Sequence, residues 1–390
     1  MILKCTWFIF VCVFLTGVNV GHCDQLKIAT YNTSLYRNNP GQLQKELQAG
    51  LSNHARNIAE VIQRVRPQII LLNEFDFDPT GKSIQLFKEK YLQQSQNGAK
   101  PIEFKFHFAA PVNTGIPSRH DLDNDGRADG PGDAYGFGKF PGQYGMLVLS
   151  QFPIERGSVR TFQKFKWKDM PGALLPMNKD GTSFYTAAEL NEFRLSSKSH
   201  WDVAIQVRDR PLHFLVSHPT PPVFDKEEDR NGRRNHDEIR FWNDYVTPSK
   251  SSYIYDDAEK TGGLKSDVFF VIAGDQNADP HDGDSTGSPI RLLLQNKQIN
   301  SKQTPRSLGA VEASKKGVAN QKHKGEAGFD TGDFNDRSVG NLRIDYVLPS
   351  ANLSIKNSGV FWPVKADPHS RLIAVSDHRL VWVNVEFPKR

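Results

Sequence analysis

Cysteine is scarce in this chain: Cys5, Cys12 and Cys23 are the only three in 390 residues, and none lies beyond position 23. Everything after that point is therefore free of disulfides, and no Cys or His cluster at zinc spacing replaces them. Long apolar runs are equally rare. Cys5–Val18 is almost wholly apolar behind the short basic start Met1–Lys4, but it is too short and wrongly flanked for a membrane span, and residues 1–23 read as a secretory signal peptide. Cys23 leaves a second reading open, a lipid-anchored cysteine, although the residues before it make a poor lipobox. No later run approaches spanning length, so the sequence predicts a secreted or periplasmic chain with no stable membrane insertion. An internal repeat and a low-complexity linker are also missing. One domain over 24–390 is preferred to two, with insertions near 76–140, 222–262 and 281–335. Charge of one sign is not abundant either: +5 overall, and +4 once Lys4 leaves with the leader. That balance suits an anionic substrate, but there is no long basic stripe with interleaved aromatics of the kind that marks nucleic-acid binding.

What the sequence does contain is a series of apolar, β-favouring runs that end in polar residues. Val268–Ile272 (VFFVI) reads as a strand buried on both faces, and after Gly274 it delivers Asp275 and Asn277. Leu26–Tyr31 leads to Asn32. Asn53–Arg66 places Ile58, Val61, Ile62 and Val65 at helical spacing, with Asn53 as N-cap and Pro67 beyond the end. Gln68–Asn73 is a second buried strand leading to Glu74, so the three segments form a βαβ-like unit. Gly145–Ser150 is another strand, Val203–Val207 and Leu212–Ser217 flank a turn, and the latter delivers His218. Arg343–Leu348 carries Asp345 inside a strand pattern, which is costly unless the carboxylate is paired. Asp377 and His378 precede the final strand, Leu380–Phe387.

Two polar segments have their own chemistry. In His120–Asp133, Asp121, Asp123 and Asp125 alternate before Gly126, the spacing of a calcium loop, and Asp129 is a further ligand candidate. Gly132 stands where an EF-hand would have its bidentate Glu, and the flanks are not helical, so the expectation is an isolated structural Ca²⁺ loop, against a flexible acidic loop. Residues 222–262 hold a charged run in which Arg230, Arg233, Arg234 and His236 precede a short helix, Asp237–Tyr245. Arg233, Arg234 and His236 read either as a phosphate-facing group, since Arg forks match phosphate oxygens, or as a solvated face. Residues 300–325 read as an exposed loop.

Carboxylates for a hard cation, two His for proton transfer and two Asn as neutral donors are the parts that phosphoester hydrolysis needs. In order along the chain stand TYN (30–32), LLNE (71–74), SHP (217–219), GDQN (274–277), RIDYVL (343–348) and SDH (376–378). With these motifs the sequence resembles the endonuclease/exonuclease/phosphatase superfamily, the DNase I-like group. The resemblance implies an α+β fold, a four-layered α/β/β/α sandwich of two mixed β-sheets with the site at one mouth. It implies Mg²⁺ or Mn²⁺ on Glu74, with Asn32 and Asp377 near the same cation. His378 would be the general base oriented by Asp345, Asp275 would position or activate the water, Asn277 would hold a phosphoryl oxygen, and His218 would act on the leaving-group side. The expected activity is that of an exported, metal-dependent phosphoesterase on nucleic acid or a small organic phosphate, acting as a monomer without a protein partner. The alternatives are a dedicated extracellular nuclease and a non-catalytic, calcium-stabilised binding protein on the same scaffold.

Overall fold

The computed structural model describes residues 25–389, so the leader expected over 1–23 lies outside the described residues. β1 (Gln25–Leu35), β2 (Ile69–Phe75), β3 (Phe106–Phe108) and β4 (Met146–Ser150) come first and share one sheet. β5 (Arg160–Thr161), β6 (His200–Val207), β7 (Arg210–Ser217) and β8 (Phe270–Asp275) make most of a second. A two-stranded ribbon follows, β9 (Gly332–Asp333) with β10 (Asn341–Leu342). β11 (Asp345–Pro349) then joins the second sheet, and β12 (Ser354–Val360) and β13 (Val381–Glu386) return to the first. The sheet orders are β12-β13-β1-β2-β4-β3 and β11-β8-β7-β6-β5. β1–β2 and β7–β8 are parallel and the other neighbours antiparallel.

The continuous apolar runs follow from cover on both faces of each sheet. In β2, Ile69 and Leu71 enter the core between the sheets while Ile70 and Leu72 meet the helix Asn53–Val65 through Ile58, Val61 and Ile62. In β8, Val271 and Ala273 face the inter-sheet core, and Phe270 and Ile272 face the helix Arg230–Tyr245. Ile239, Trp242 and Tyr245 anchor that second helix, each burial contributing about 1.5–3 kcal/mol, so packing rather than its polar sequence holds it. The result is the expected α+β, four-layered α/β/β/α sandwich.

Several boundaries differ from expectation. Ser52, not Asn53, caps the first helix, its side chain accepting from Ala55 N. The second helix begins at Arg230, about two turns before Asp237. Within 300–325 the chain makes a helix, Leu308–Ala313, because Ser307 caps it and Ala310 and Ala313 reach the core. β11 starts at Asp345 instead of enclosing it, since the N–H groups of Ile344 and Asp345 are taken by the Thr331 hydroxyl.

This topology gathers polar termini at one end of the sandwich. The parallel pairs deliver Asn32, Glu74, His218 and Asp275 at their C-terminal ends, and the antiparallel β11 and β13 start from the same end with Asp345 and His378. Gly274 makes the junction possible: its φ is +146°, and a Cβ there would lie 2.1 Å from Ser217 O.

Candidate active site

Asp275 is the residue on which both sheets converge. Its Oδ2 accepts from Asn32 Nδ2 at 3.1 Å and lies 3.3 Å from His218 Nε2 and 3.5 Å from His378 Nε2. Its Oδ1 accepts from Asn277 N at 2.9 Å, and its own N–H donates to Asn73 Oδ1 at 3.2 Å. Burial alone would raise its pKa, but His378, His218 and the Asn32 hydrogen bond prevail and hold the carboxylate ionised, below its ordinary range.

His378 is clamped from both sides. Nδ1 lies 3.0 Å from Asp345 Oδ2, and Asp345 Oδ2 accepts in turn from Thr331 Oγ1 at 2.8 Å. Burial opposes a charge on this imidazole, yet the Asp345 and Asp275 carboxylates outweigh it and set its pKa well above the usual value. His218 goes the other way: burial and then Lys198 lower it to about 4, so it is neutral at pH 7. The two histidines of one site thus carry different protonation states for identifiable reasons.

Glu74, Asn32 and Asp377 form the outer corner. Glu74 has left-handed backbone, φ 59°, at the end of β2, a conformation that costs a non-glycine residue of the order of 1 kcal/mol or more and concentrates at functional sites. Burial raises its carboxyl to about 7, with His378 and Asn32 pulling it back. Among the described residues it has no ion-pair partner. A half-buried carboxylate with no direct ion-pair partner, beside an amide, fits a hard divalent cation. Asp377 stands at the rim, its side chain 52% exposed and its Oδ1 4.0 Å from His378 Nε2. Asn32 donates through Nδ2 to Asp275 while its side-chain Oδ1 accepts from Ser34 N at 3.2 Å, which leaves one lone pair of Oδ1 for a cation. Tyr36 and Tyr144, ring centroids 4.6 Å apart, border Glu74.

Of the three residues read either as a phosphate-facing group or as a solvated face, Arg234 is neither. Arg234 is buried, and its guanidinium donates to the carbonyls of Leu195, Arg194 and Tyr135. Arg233 reaches Asp229 at 3.8 Å and Leu175 O, and His236 Nδ1 contacts Asp237 at 3.0 Å. The reason is the longer helix, which turns Arg234 onto a packed surface and leaves Arg233 and His236 half-buried. The same helix braces the site from behind. Asn235 Nδ2 donates to Thr220 O and Gln276 O at 2.8 and 2.9 Å, and Glu238 accepts from Thr220 N and Ser197 N at 2.7 and 2.6 Å. Three loops that carry site residues are therefore held by one helical turn.

Sequence reading also missed Asn73, Thr331 and Lys198. Asn73 sits inside LLNE, where alternation around Glu74 could have exposed it; Thr331 has no local signal. Asn277 is partly occupied, its Nδ2 donating to Pro219 O at 3.1 Å. In the acidic loop the grouping changes as well. Asp121 and Asp123 converge with Asp133, their oxygens within 4.8 Å of one another, whereas Asp125 is exposed and Asp129 pairs with exposed Arg127 at 3.3 Å. Gly132 leaves room for the new grouping: a Cβ there would lie 2.0 Å from Asp123 Oδ2 and would push that carboxylate aside.

The structure aligns with an endonuclease/exonuclease/phosphatase from Beutenbergia cavernae at TM-score 0.50 and 15% identity, covering 93% of this chain and 72% of that one. Sphingomyelinase C from Streptomyces griseocarneus aligns at TM-score 0.47 and 15% identity, over 92% of this chain and 99% of that one. The human Nocturnin catalytic domain aligns at TM-score 0.46 and 12% identity, over 94% and 95%. No functionally curated protein matches the sequence. The sequence pattern of the Endonuclease/Exonuclease/phosphatase family matches residues 29–378, and the chain belongs to that family.

Proposed function

We infer that the protein is an exported, divalent-metal-dependent phosphoesterase. The observation that carries this is the Asp275 carboxylate, on which Asn32, His218, His378 and the Asn277 backbone converge. Glu74 and Asp377 would hold Mg²⁺ or Mn²⁺, which when bound supplies positive charge to the phosphoryl oxygens and lowers the pKa of water. Asp275, ionised and fixed by several donors, orients the attacking water and takes its proton as the new P–O bond forms. His378, protonated between its two carboxylates, gives a proton to the departing ester oxygen as the old bond breaks. This moves His378 from the base role expected from the sequence to the leaving-group side expected of His218, with the reason in the field of Asp345 and Asp275 around His378, and keeps Asp275 on the water. Asn277 turns its remaining amide N–H to a phosphoryl oxygen, and His218 steers Asp275. The basic, apolar segment at 1–23 supports export, and Ca²⁺ on Asp121, Asp123 and Asp133 would be structural. The substrate is nucleic acid or a small organic phosphate.

The test is hydrolysis of plasmid DNA, bis-p-nitrophenyl phosphate and p-nitrophenyl phosphate with Mg²⁺ and with EDTA. DNA nicking lost in EDTA makes the protein a nuclease; turnover of the small esters without nicking makes it a phosphatase or small-molecule phosphodiesterase. No metal-dependent turnover of any of the three sinks the reading and leaves a binding protein.

A further inference from the structure

One cation at the site has no role in the account above. Lys198 precedes β6 by two residues, and because His200 pairs with Ser217 across the β6–β7 ladder, it lies at the same end of the second sheet as His218. Its backbone is pinned: Lys198 O accepts from Asn113 N at 2.8 Å, and the preceding Ser197 donates through N and Oγ to Glu238 at 2.6 and 3.1 Å. Gly136 packs so closely that a Cβ there would lie 1.8 Å from Ser197 O. The side chain is nearly enclosed, the residue 7% exposed, and its ammonium has no hydrogen-bond or ion-pair partner among the described residues. Yet Glu238, Glu74, Asp275 and His218 all feel its charge.

An ammonium without a direct protein partner, on a side chain this enclosed and touching solvent only through what exposure remains, is expensive. The buried cation Arg379 is held differently, by direct protein contacts: its two terminal guanidinium nitrogens donate to Ser376 O, His378 O and Asp333, and only its Nε has no partner. Lys198 is left open instead, on a rigid loop at the His218 end of the second sheet and within electrostatic reach of the carboxylates that frame the reaction centre. We propose that Lys198 is a substrate-contacting residue whose ammonium binds a non-bridging phosphoryl oxygen, on the His218 side of Asp275. This rests on the phosphoesterase reading and adds to it a fixed positive contact supplied by the chain itself. The transferred charge on phosphorus is then held from opposite directions, by Lys198 on the second sheet and by the cation corner on the first.

The experiment titrates inorganic phosphate calorimetrically into the full-length, Mg²⁺-supplied protein as wild type, Lys198→Met and Lys198→Arg, with kinetics on bis-p-nitrophenyl phosphate in parallel. Lys198→Met is expected to weaken phosphate binding about tenfold or more, about 1.4 kcal/mol, and to lower kcat/KM about 10²-fold, the effect of losing one oxyanion donor. Lys198→Arg, which keeps the charge, is expected to recover most of the phosphate affinity. A folded Lys198→Met that binds phosphate like wild type overturns the proposal. So does a wild type that binds no phosphate. If Lys198→Met loses its thermal transition, Lys198→Arg decides alone, and a folded Arg variant without phosphate binding overturns the contact. A wild type inert to every phosphoester that still binds phosphate through Lys198 overturns the phosphoesterase reading and supports the contact.

Discussion

Two acidic groups in this protein bring their oxygens within the same 4.8 Å, Asp275–Asp345 with His378 and Asp121–Asp123–Asp133, but they are built in opposite ways. The first is buried at strand ends whose register fixes it, Asp345 facing Asp275 across β8 and β11, and its charge is answered by an imidazole. The second lies on a loop and is held by backbone: Asp121 accepts from Asp125 N and Gly126 N, and Asp133 from Leu122 N and Gly130 N. Carboxylates matched to a proton carrier suit chemistry. Those matched to backbone N–H groups order the chain around them, and a cation bound there would add stability without adding a proton path.

The sharpest break between the two is Asp275→Asn. It removes the proton acceptor and should lower kcat by about 10²–10⁴-fold, read on bis-p-nitrophenyl phosphate with the thermal transition checked; a loss below tenfold would remove Asp275 from the base role. Next comes the pH dependence of the outer corner. With Glu74 at about 7, Mg²⁺ must displace its proton at pH 6, so affinity should be roughly tenfold weaker at pH 6 than at pH 8, and Glu74→Gln should flatten that dependence in a calorimetric titration. Asp133→Asn should leave kcat/KM within about twofold while abolishing any Ca²⁺-dependent rise in Tm, which for a chain of this size is about 1–2 °C per kcal/mol. Equal damage to turnover would erase the distinction drawn here.

The smallest effect concerns a third acidic group, which has neither an imidazole nor a full set of donors. Burial, then Asp279 and Asp282, push Asp330 up to about 8. The folded chain therefore holds this proton more tightly than the unfolded chain does. Its contribution to stability is full below the ordinary carboxylate range and is lost as pH rises through 8. Asp330→Asn should raise Tm at pH 9 by about 2–4 °C and lose that advantage at pH 4; an equal change at both pH values would point to packing instead.

Much of the fold was legible because strands buried on both faces read as unbroken apolar runs, and the site because each such run stops at a chemically distinctive residue: Asn32, Glu74, His218, Asp275. Register was not legible. Nothing local says that Asp345 opens β11 or that Thr331, fourteen residues upstream, carries its hydroxyl to it. Arg234 misled for a physical reason. An Arg-rich run is exposed by default, and only a helix two turns longer than its apolar spacing suggests buries that guanidinium against carbonyls. Asp133 was passed over because calcium-loop spacing counts along the chain, whereas the chain doubles back, with Gly132 leaving room for the Asp123 carboxylate.

Asn32 and Asn73 both belong to β1 and β2 of the first sheet, and both bond Asp275 on the second. Neither sheet holds the catalytic arrangement by itself. A chain with one layer formed and the other still loose has its residues but not its site, so turnover should appear in one step with the docking of the layers, later than the helix signal in a refolding experiment. The active site works in effect as the clasp of the sandwich, closed only when the whole molecule is.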